Sequence, residues 1–216
     1  WLIRLLYLYP EEITDQLIEE VRTNPLVAHY FDIPIQHIVP GILKRMNRRG
    51  DDIVIKGLWK KIRTAISDAI IRTTVIVGFP GESEADFQQL LEFIGNYPSD
   101  RLGAFVYSRE DDTPAFAYPD QIDTKTKNDR LDRIMGAQRQ IAGRLSRQKA
   151  GTIQETLIEA YDEDSGFYYG RSYAFAPDDV DGYIVFQSKK TLRIGDIVKV
   201  SIKEAIMYDL IGDAIY

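Results

Sequence analysis

Two short stretches hold side chains that can do chemistry together. Phe31-Asp32-Ile33-Pro34-Ile35-Gln36-His37 sets a carboxamide and an imidazole where an apolar run breaks off, and twelve residues beyond Gln36 comes Arg48, within Met46-Asn47-Arg48-Arg49-Gly50. A guanidinium offers a rigid fork to a carboxylate, and a carboxamide both donates to and accepts from ribose hydroxyls. The set therefore fits an amino-acid nucleoside, a ligand with both groups. The same residues also have a plainer reading, with Arg48 and Arg49 as solvated charges offsetting a helix dipole and His37 as a capping or core histidine.

A second candidate is Thr73-Thr74-Val75-Ile76-Val77-Gly78-Phe79-Pro80-Gly81-Glu82, a β-branched run that ends in two glycines. Its backbone edges and apolar side chains can hold an adenine, while Gly78 and Gly81 let the main chain turn tightly. No Gly-Lys-Ser/Thr follows, so a phosphate loop is excluded. A simple strand-to-helix turn remains the alternative for this segment alone. A third candidate, Phe105-Val106-Tyr107-Ser108-Arg109-Glu110-Asp111-Asp112-Thr113-Pro114-Ala115, ends a strand on a hydroxyl and continues as a polar loop, the kind of loop that carries specificity. With only His29 and His37 in the chain, no Ser/His/Asp triad is recognisable.

These groups need a scaffold that brings strand ends together. Leu2 to Tyr9, Tyr30 to Gln36, Ile71 to Val77 and Arg101 to Tyr107 read as strands. Between them lie helical patterns: Glu11 to Arg22 with Ile13, Leu17, Ile18 and Val21; a short one marked by Ile42, Leu43 and Met46; Ile53 to Ile66 with Val54, Leu58, Ile62 and Ile66 on one face; and one started by Ser83-Glu84-Ala85-Asp86 with Phe87, Leu90, Leu91 and Ile94 as its stripe. Such alternation implies parallel strands with helical crossovers, and it gathers the chemistry at the strand C-termini. A long helix, Asp123 to Gln148, turns Leu131, Ile134, Met135, Ile141 and Leu145 inward. Five strands then follow, at Thr152–Ala160, Phe167–Tyr173, Gly182–Phe186, Asp196–Glu204 and Tyr208–Ile215. They predict a small all-β antiparallel barrel of OB-like size. The predicted fold class is α/β, with a partial parallel (β/α) barrel over residues 1–149 and the small barrel over 150–216.

Composition narrows the rest. The 216 residues, 44% hydrophobic, fill one ordinary domain and one small one. No apolar run nears the roughly 20 residues of a membrane span, and Trp1 to Pro10 has no signal-peptide pattern. There is no cysteine, which fits a reducing cytoplasm and excludes iron–sulfur ligation by this stretch. The chain opens on Trp1 inside an apolar run and reads as cut from a longer protein. From Ala150 onward six basic residues face twelve acidic ones, so the tail carries the whole net charge of −6. That excess repels a phosphate backbone and suits a basic protein partner; a merely solubilising surface is the alternative.

Taken in order, the three candidate segments resemble the radical S-adenosylmethionine (SAM) methylthiotransferases. The resemblance rests on Trp1 to Pro10, Asp32 to His37, Met46 to Gly50, Arg72 to Glu82, Tyr107 to Glu110 with Thr113-Pro114-Ala115, and Gly170-Arg171-Ser172-Tyr173. It implies that the strands are the last four of a radical SAM partial barrel and that the tail is a TRAM domain. SAM then lies across the strand ends: Gln36 and Arg48 reach its polar end, Thr74 and Ile76 line the nucleoside, and Ser108 approaches the adenine. None of these residues is given an acid, base or metal-binding role. Where the family has a helix cap after Gln-His, this chain has Ile38-Val39-Pro40-Gly41. The resemblance also implies two 4Fe-4S clusters whose cysteine ligands precede Trp1, so this chain should not catalyse alone. In the intact enzyme one SAM methylates a cluster-associated sulfur and another is cleaved to a radical. The branch most resembled methylthiolates an aspartate β-carbon of a small-subunit ribosomal protein. The acidic tail would then dock that basic protein, with the protein cytoplasmic and monomeric and with no membrane partner. A transfer-RNA-modifying enzyme of the same family and a non-catalytic ribosomal-protein-binding module are the alternatives.

Overall fold

The computed structural model describes residues 2–176 and 181–216. Trp1, which begins the first quoted stretch, and Asp178 and Asp179 of the acidic tail lie outside the described residues. The chain separates into two compact units, residues 1–138 and 139–216.

In the first unit four strands, β1 (Ile3–Leu5), β2 (Val27–Asp32), β3 (Ile70–Val77) and β4 (Arg101–Val106), pair in sequence order. Every pairing is parallel. Between them run α1 (Asp15–Thr23), α2 (Pro40–Arg45), α3 (Asp52–Ala65) and α4 (Glu84–Asn96), and after them comes α5 (Thr124–Arg147). This is the alternation expected of a (β/α) barrel segment.

β1 is shorter than the apolar run predicted. Tyr7 adopts φ 57, and the chain leaves the ladder to give its Tyr7 N–H to Asp32 Oδ2 at 3.2 Å and its Leu8 N–H to the Asp32 carbonyl at 2.8 Å. The predicted helix from Glu11 likewise divides. A 3-10 turn, Pro10–Glu12, precedes α1, whose true start is Thr14, with Oγ1 accepting from Leu17 N–H at 3.1 Å. β2 stops at Asp32 because Pro34 has no N–H to give the ladder. The strand path resumes only at a single parallel bridge between Gln36 and Val75.

Of the predicted α3 face, Leu58, Ile62 and, at the helix end, Ile66 are buried, but Val54 is 42% exposed, and Ile55 and Trp59 complete the stripe instead. A core-facing helix buries a band wider than a single i+4 row. In α4 Phe93 joins Phe87, Leu90 and Ile94 in the core, with Leu91 half-buried, and Ser83 and Asp86 form a full capping box. Along β3 one face is buried (Ile71, Thr73, Val75, Val77), while Arg72, Thr74 and Ile76 on the other are partly open. That second face is the one available to a ligand.

The second unit holds a closed five-stranded barrel of β5 (Ile153–Asp162), β6 (Phe167–Arg171), β7 (Ile184–Gln187), β8 (Ile197–Ile206) and β9 (Asp209–Ile215), in the order β5-β6-β7-β9-β8. Neighbours are antiparallel except β7 and β9, which run parallel, so the barrel is not wholly antiparallel as predicted. A chain that closes a five-stranded Greek-key barrel acquires one such pair. Its core is Ile158, Tyr168, Ile184, Phe186, Val200, Ile202 and Leu210.

β5 and β8 each serve two neighbours and bend to do so, with irregular register between Ile158 and Ala160 and between Ile202 and Glu204. Glycines face both bends. A Cβ on Gly170 would stand 2.3 Å from the Leu157 carbonyl oxygen, and one on Gly212 would stand 2.2 Å from that of Ser201. Both obstacles are backbone and cannot step aside. Gly170→Ala is therefore expected to destabilise the protein by about 1–3 kcal/mol, read as a lowered midpoint of urea unfolding, whereas Gly166→Ala, with open space around its Cβ position, should cost only the left-handed backbone strain of about 1 kcal/mol.

Candidate functional site

At the C-terminal end of the parallel sheet three turns meet, and each has a local reason for its shape. The first follows β2. Gln36 sits at φ 66, a region costly for a residue with a Cβ. It is held there because its N–H donates to the Thr74 carbonyl at 2.8 Å and its own carbonyl accepts from Ile76 N–H at 2.7 Å. The next residue folds straight back, His37 N–H donating to the Ile35 carbonyl at 2.8 Å. Where the family's cap is missing, α2 begins on Pro40 with no side-chain cap, a position proline suits because its absent N–H would be an orphan anyway. The Val39 N–H goes to His37 Nδ1 at 3.1 Å.

The second turn closes α2. Asn47 takes the left-handed backbone (φ 56), its N–H donates to the Lys44 carbonyl at 3.1 Å, and the Arg48 N–H reaches the Leu43 carbonyl at 2.9 Å. This pair of bonds is a Schellman motif with asparagine in the glycine position. It delivers Arg48 to the mouth of the site, its guanidinium stacked 5.1 Å over the Tyr9 ring. The aromatic ring attracts the guanidinium by a cation–π interaction and places its charge at the mouth of the site.

The third turn, Gly78 to Glu82, follows β3. Gly78 (φ 72) and Gly81 (φ 81) are both left-handed, and both are crowded: a Cβ would lie 2.3 Å from Lys127 Cγ and 2.0 Å from Arg45 Nη1 respectively. Glycine thus suits the backbone shape at both positions, and at Gly78 the Lys127 stem leaves little room for a side chain as well. Lys127 spans the end of β4, donating to the Tyr107 carbonyl at 2.8 Å with its ammonium 5.0 Å over the Tyr107 ring, and burial pushes it below the usual lysine range.

Together the turns enclose a cleft of about 840 Å³. Gln36, Arg48, Ile76 and Ser108 all line it. Thr74 does not. It lies two residues before Ile76 on the same partly open face of β3, opposite Gly103, where the missing side chain leaves the space beside its Oγ1 open. Ser108 Oγ is engaged by Glu110 Oε1 at 2.5 Å. His37, expected to share the mouth, is fully buried beneath it and belongs to the supporting layer.

Sequence reasoning did not single out Lys44, Arg45, Phe79 or Tyr118, which also line the cleft. Arg45 stacks 4.8 Å from the Tyr118 ring centre and faces Asp120 Oδ2 at 3.7 Å, while the Tyr118 hydroxyl donates to the Arg45 carbonyl at 3.3 Å. These partners are far apart in the chain, and no spacing rule announces them. The cleft has a basic wall (Lys44, Arg45, Arg48), an apolar one (Ile76, Phe79, Val106) and a carboxamide at Gln36. It can bind a molecule with an anionic end and a flat apolar body.

Among the described residues no group of three or more His, Cys, Asp or Glu is placed to hold a metal, and no helix is long and apolar enough to cross a membrane. In the barrel, Glu159 pairs with Arg171 at 2.6 Å, and the Ser165 hydroxyl with the Asp164 N–H holds the Asp162 carboxyl below the usual carboxylate range.

Comparison with known proteins agrees with this architecture. The model of the TRAM domain matches residues 150–215. The chain is 45% identical to the ribosomal protein uS12 methylthiotransferase RimO of Acetivibrio thermocellus over 213 residues, 99% of this chain and 47% of that protein. It is 46% identical to the protein of the same name from Alkaliphilus oremlandii, over 98% of this chain and 48% of the relative. Against that of Clostridium botulinum (strain Okra) the identity is 45%, over 97% and 46%. The chain thus spans about half the length of the curated relatives it matches. Among solved structures, coproporphyrinogen III oxidase (HemN) of Escherichia coli, described as a radical SAM enzyme, superposes with a TM-score of 0.54 at 20% identity, over 70% of this chain and 34% of that one. That likeness is one of fold.

The Schellman closure of α2 is directly testable. Asn47→Gly should keep or slightly raise stability, whereas Asn47→Val, a β-branched residue at φ 56, should lower it by about 1–2 kcal/mol in urea unfolding.

Proposed function

We propose that this chain belongs to the RimO family of radical SAM methylthiotransferases and is the part of such an enzyme that holds SAM while the β-carbon of an aspartate in small-subunit ribosomal protein uS12 is methylthiolated. The observation that carries the reading is the 45% identity to a ribosomal protein uS12 methylthiotransferase across 99% of the chain. The cleft at the strand ends supports it.

The donors present fit SAM. The Arg48 fork takes the carboxylate, Gln36 serves the neighbouring polar groups, Ile76 lines the nucleoside with Thr74 set back behind it on the same face of β3, and Ser108 meets the adenine edge. SAM supplies, when bound, the methyl group and the radical that abstracts hydrogen from the substrate carbon. The protein's work is to bind, to orient and to keep water from the reacting centre. The two 4Fe-4S clusters of the intact enzyme do not fit the residues present, since the chain has no cysteine. We assign residues 150–216 as a TRAM-like domain that meets the basic substrate protein through acidic groups, in a cytoplasmic monomer.

The test uses the full-length enzyme with its clusters reconstituted. With uS12 and SAM supplied, mass spectrometry should show one methylthio group gained on a single aspartate. Arg48→Ala should weaken SAM binding by roughly tenfold to a hundredfold, the loss of a charge-assisted hydrogen bond. If transfer RNA is modified instead, with binding that falls steeply as salt rises, the ribosomal-protein assignment is wrong.

A further inference from the structure

Beneath the cleft lies a buried polar cluster that the binding reading does not use. His37 has no exposed surface and Glu82 has 1%. With Nδ1 accepting the Val39 N–H, the proton of the neutral imidazole sits on Nε2. That atom faces Glu82 Oε1 at 3.7 Å, beyond hydrogen-bond length. Among the described residues neither atom has a hydrogen-bond partner. The other Glu82 oxygen accepts the Gly78 N–H and lies 3.3 Å from Arg130 Nη1, which also donates to the Glu82 carbonyl at 3.0 Å. Arg130 itself is 4% exposed.

Burying a carboxyl and a guanidinium carries a desolvation cost that their pairing only partly offsets, so packing alone does not account for them. Their placement does something apolar residues cannot. One carboxyl grips the N–H of the Gly78 turn with one oxygen and addresses, with the other, the residue directly after Gln36. Gln36 is a cleft-lining residue in a strained backbone, and Gly78 follows Ile76 by two positions.

Resting on the SAM reading of the cleft, we propose that Glu82 and His37 are positioning residues that couple the Gln36 turn to the Gly78 turn. The His37 Nε2 to Glu82 Oε1 contact closes to a hydrogen bond when the nucleoside is bound. Neither residue touches the ligand. They set the separation of the two walls between which it fits, and Arg130 anchors the carboxyl from α5.

The experiment is made on the full-length enzyme, with S-adenosylhomocysteine as a probe that needs no turnover. His37→Asn keeps an acceptor for the Val39 N–H but is too short to reach Glu82. His37→Gln places a donor near the Nε2 position. Calorimetric titration should show binding weakened about tenfold by His37→Asn, with His37→Gln closer to the parent. Glu82→Gln should weaken binding by a similar factor, and the double variant His37→Asn/Glu82→Gln should be no weaker than either single one, as coupled residues require. In the parent, the imidazole N–H resonance of His37 should exchange more slowly once the probe is added. Thermal melting of each variant checks that it is folded, and if Glu82→Gln is not, the His37→Asn and His37→Gln comparison alone decides. Equal affinities for that pair, or losses that simply add in the double variant, overturn the proposal. If the parent takes up no probe, the SAM reading fails; the coupling then stands if His37→Asn still speeds amide exchange at Gln36 and Ile76 while His37→Gln does not, and falls with it if exchange is unchanged.

Discussion

Gln36 keeps a left-handed backbone only because β3 takes both its N–H and its carbonyl. A residue with a Cβ in that conformation gives up about 1–2 kcal/mol, and two ladder-type hydrogen bonds to Thr74 and Ile76 are what hold it there. Strain at a ligand-lining position, sustained by the surrounding scaffold, is the pattern by which a site is preformed. The direction of the Gln36 side chain, the burial of His37 behind it and the start of α2 on Pro40 all follow from that one bridge.

The same edge of the sheet organises the remaining groups. Parallel strands deliver their C-termini to one side, and each turn there is shaped by a different device: a Schellman closure with Asn47, paired left-handed glycines at Gly78 and Gly81, and an ammonium laid across the Tyr107 carbonyl. The devices lean on one another. The Arg45 guanidinium passes where a Gly81 side chain would stand, and the Lys127 stem where one on Gly78 would. Glycine in this turn is therefore set first by backbone angle, and at Gly78 also by the Lys127 stem.

The second unit solves a different problem by similar means. Ten-residue strands β5 and β8 must each pair on both sides to close a small barrel, and closure demands sharp bends. Gly170 and Gly212 sit where the bent neighbour's carbonyl leaves no room for a side chain. Several carboxyls of this acidic unit are engaged in turns and ion pairs within it, so their positions are fixed while the net charge stays the same.

The order of elements, the parallel α/β class, the five-strand tail and the segments that reach the cleft were all legible in the amino-acid sequence, because hydrophobic period, turn residues and helix starts act over short stretches of chain. So was the likeness to a family of enzymes, carried by Asp32 to His37, Arg72 to Glu82 and Gly170 to Tyr173. What periodicity misjudged was fine and local: the first residue of the α3 stripe, where Ile55 is buried and Val54 is not, and the length of β1, which Asp32 cuts short from another strand. Tertiary structure alone decided that His37 lies under the cleft and not in it, that Thr74 stands back from its lining, that Arg45 and Tyr118 form a wall, and that Glu82 meets Arg130 across 48 positions of sequence. These are contacts between residues remote in the chain, set by which strand ends a folded sheet brings side by side, and no local pattern encodes a distance of that kind.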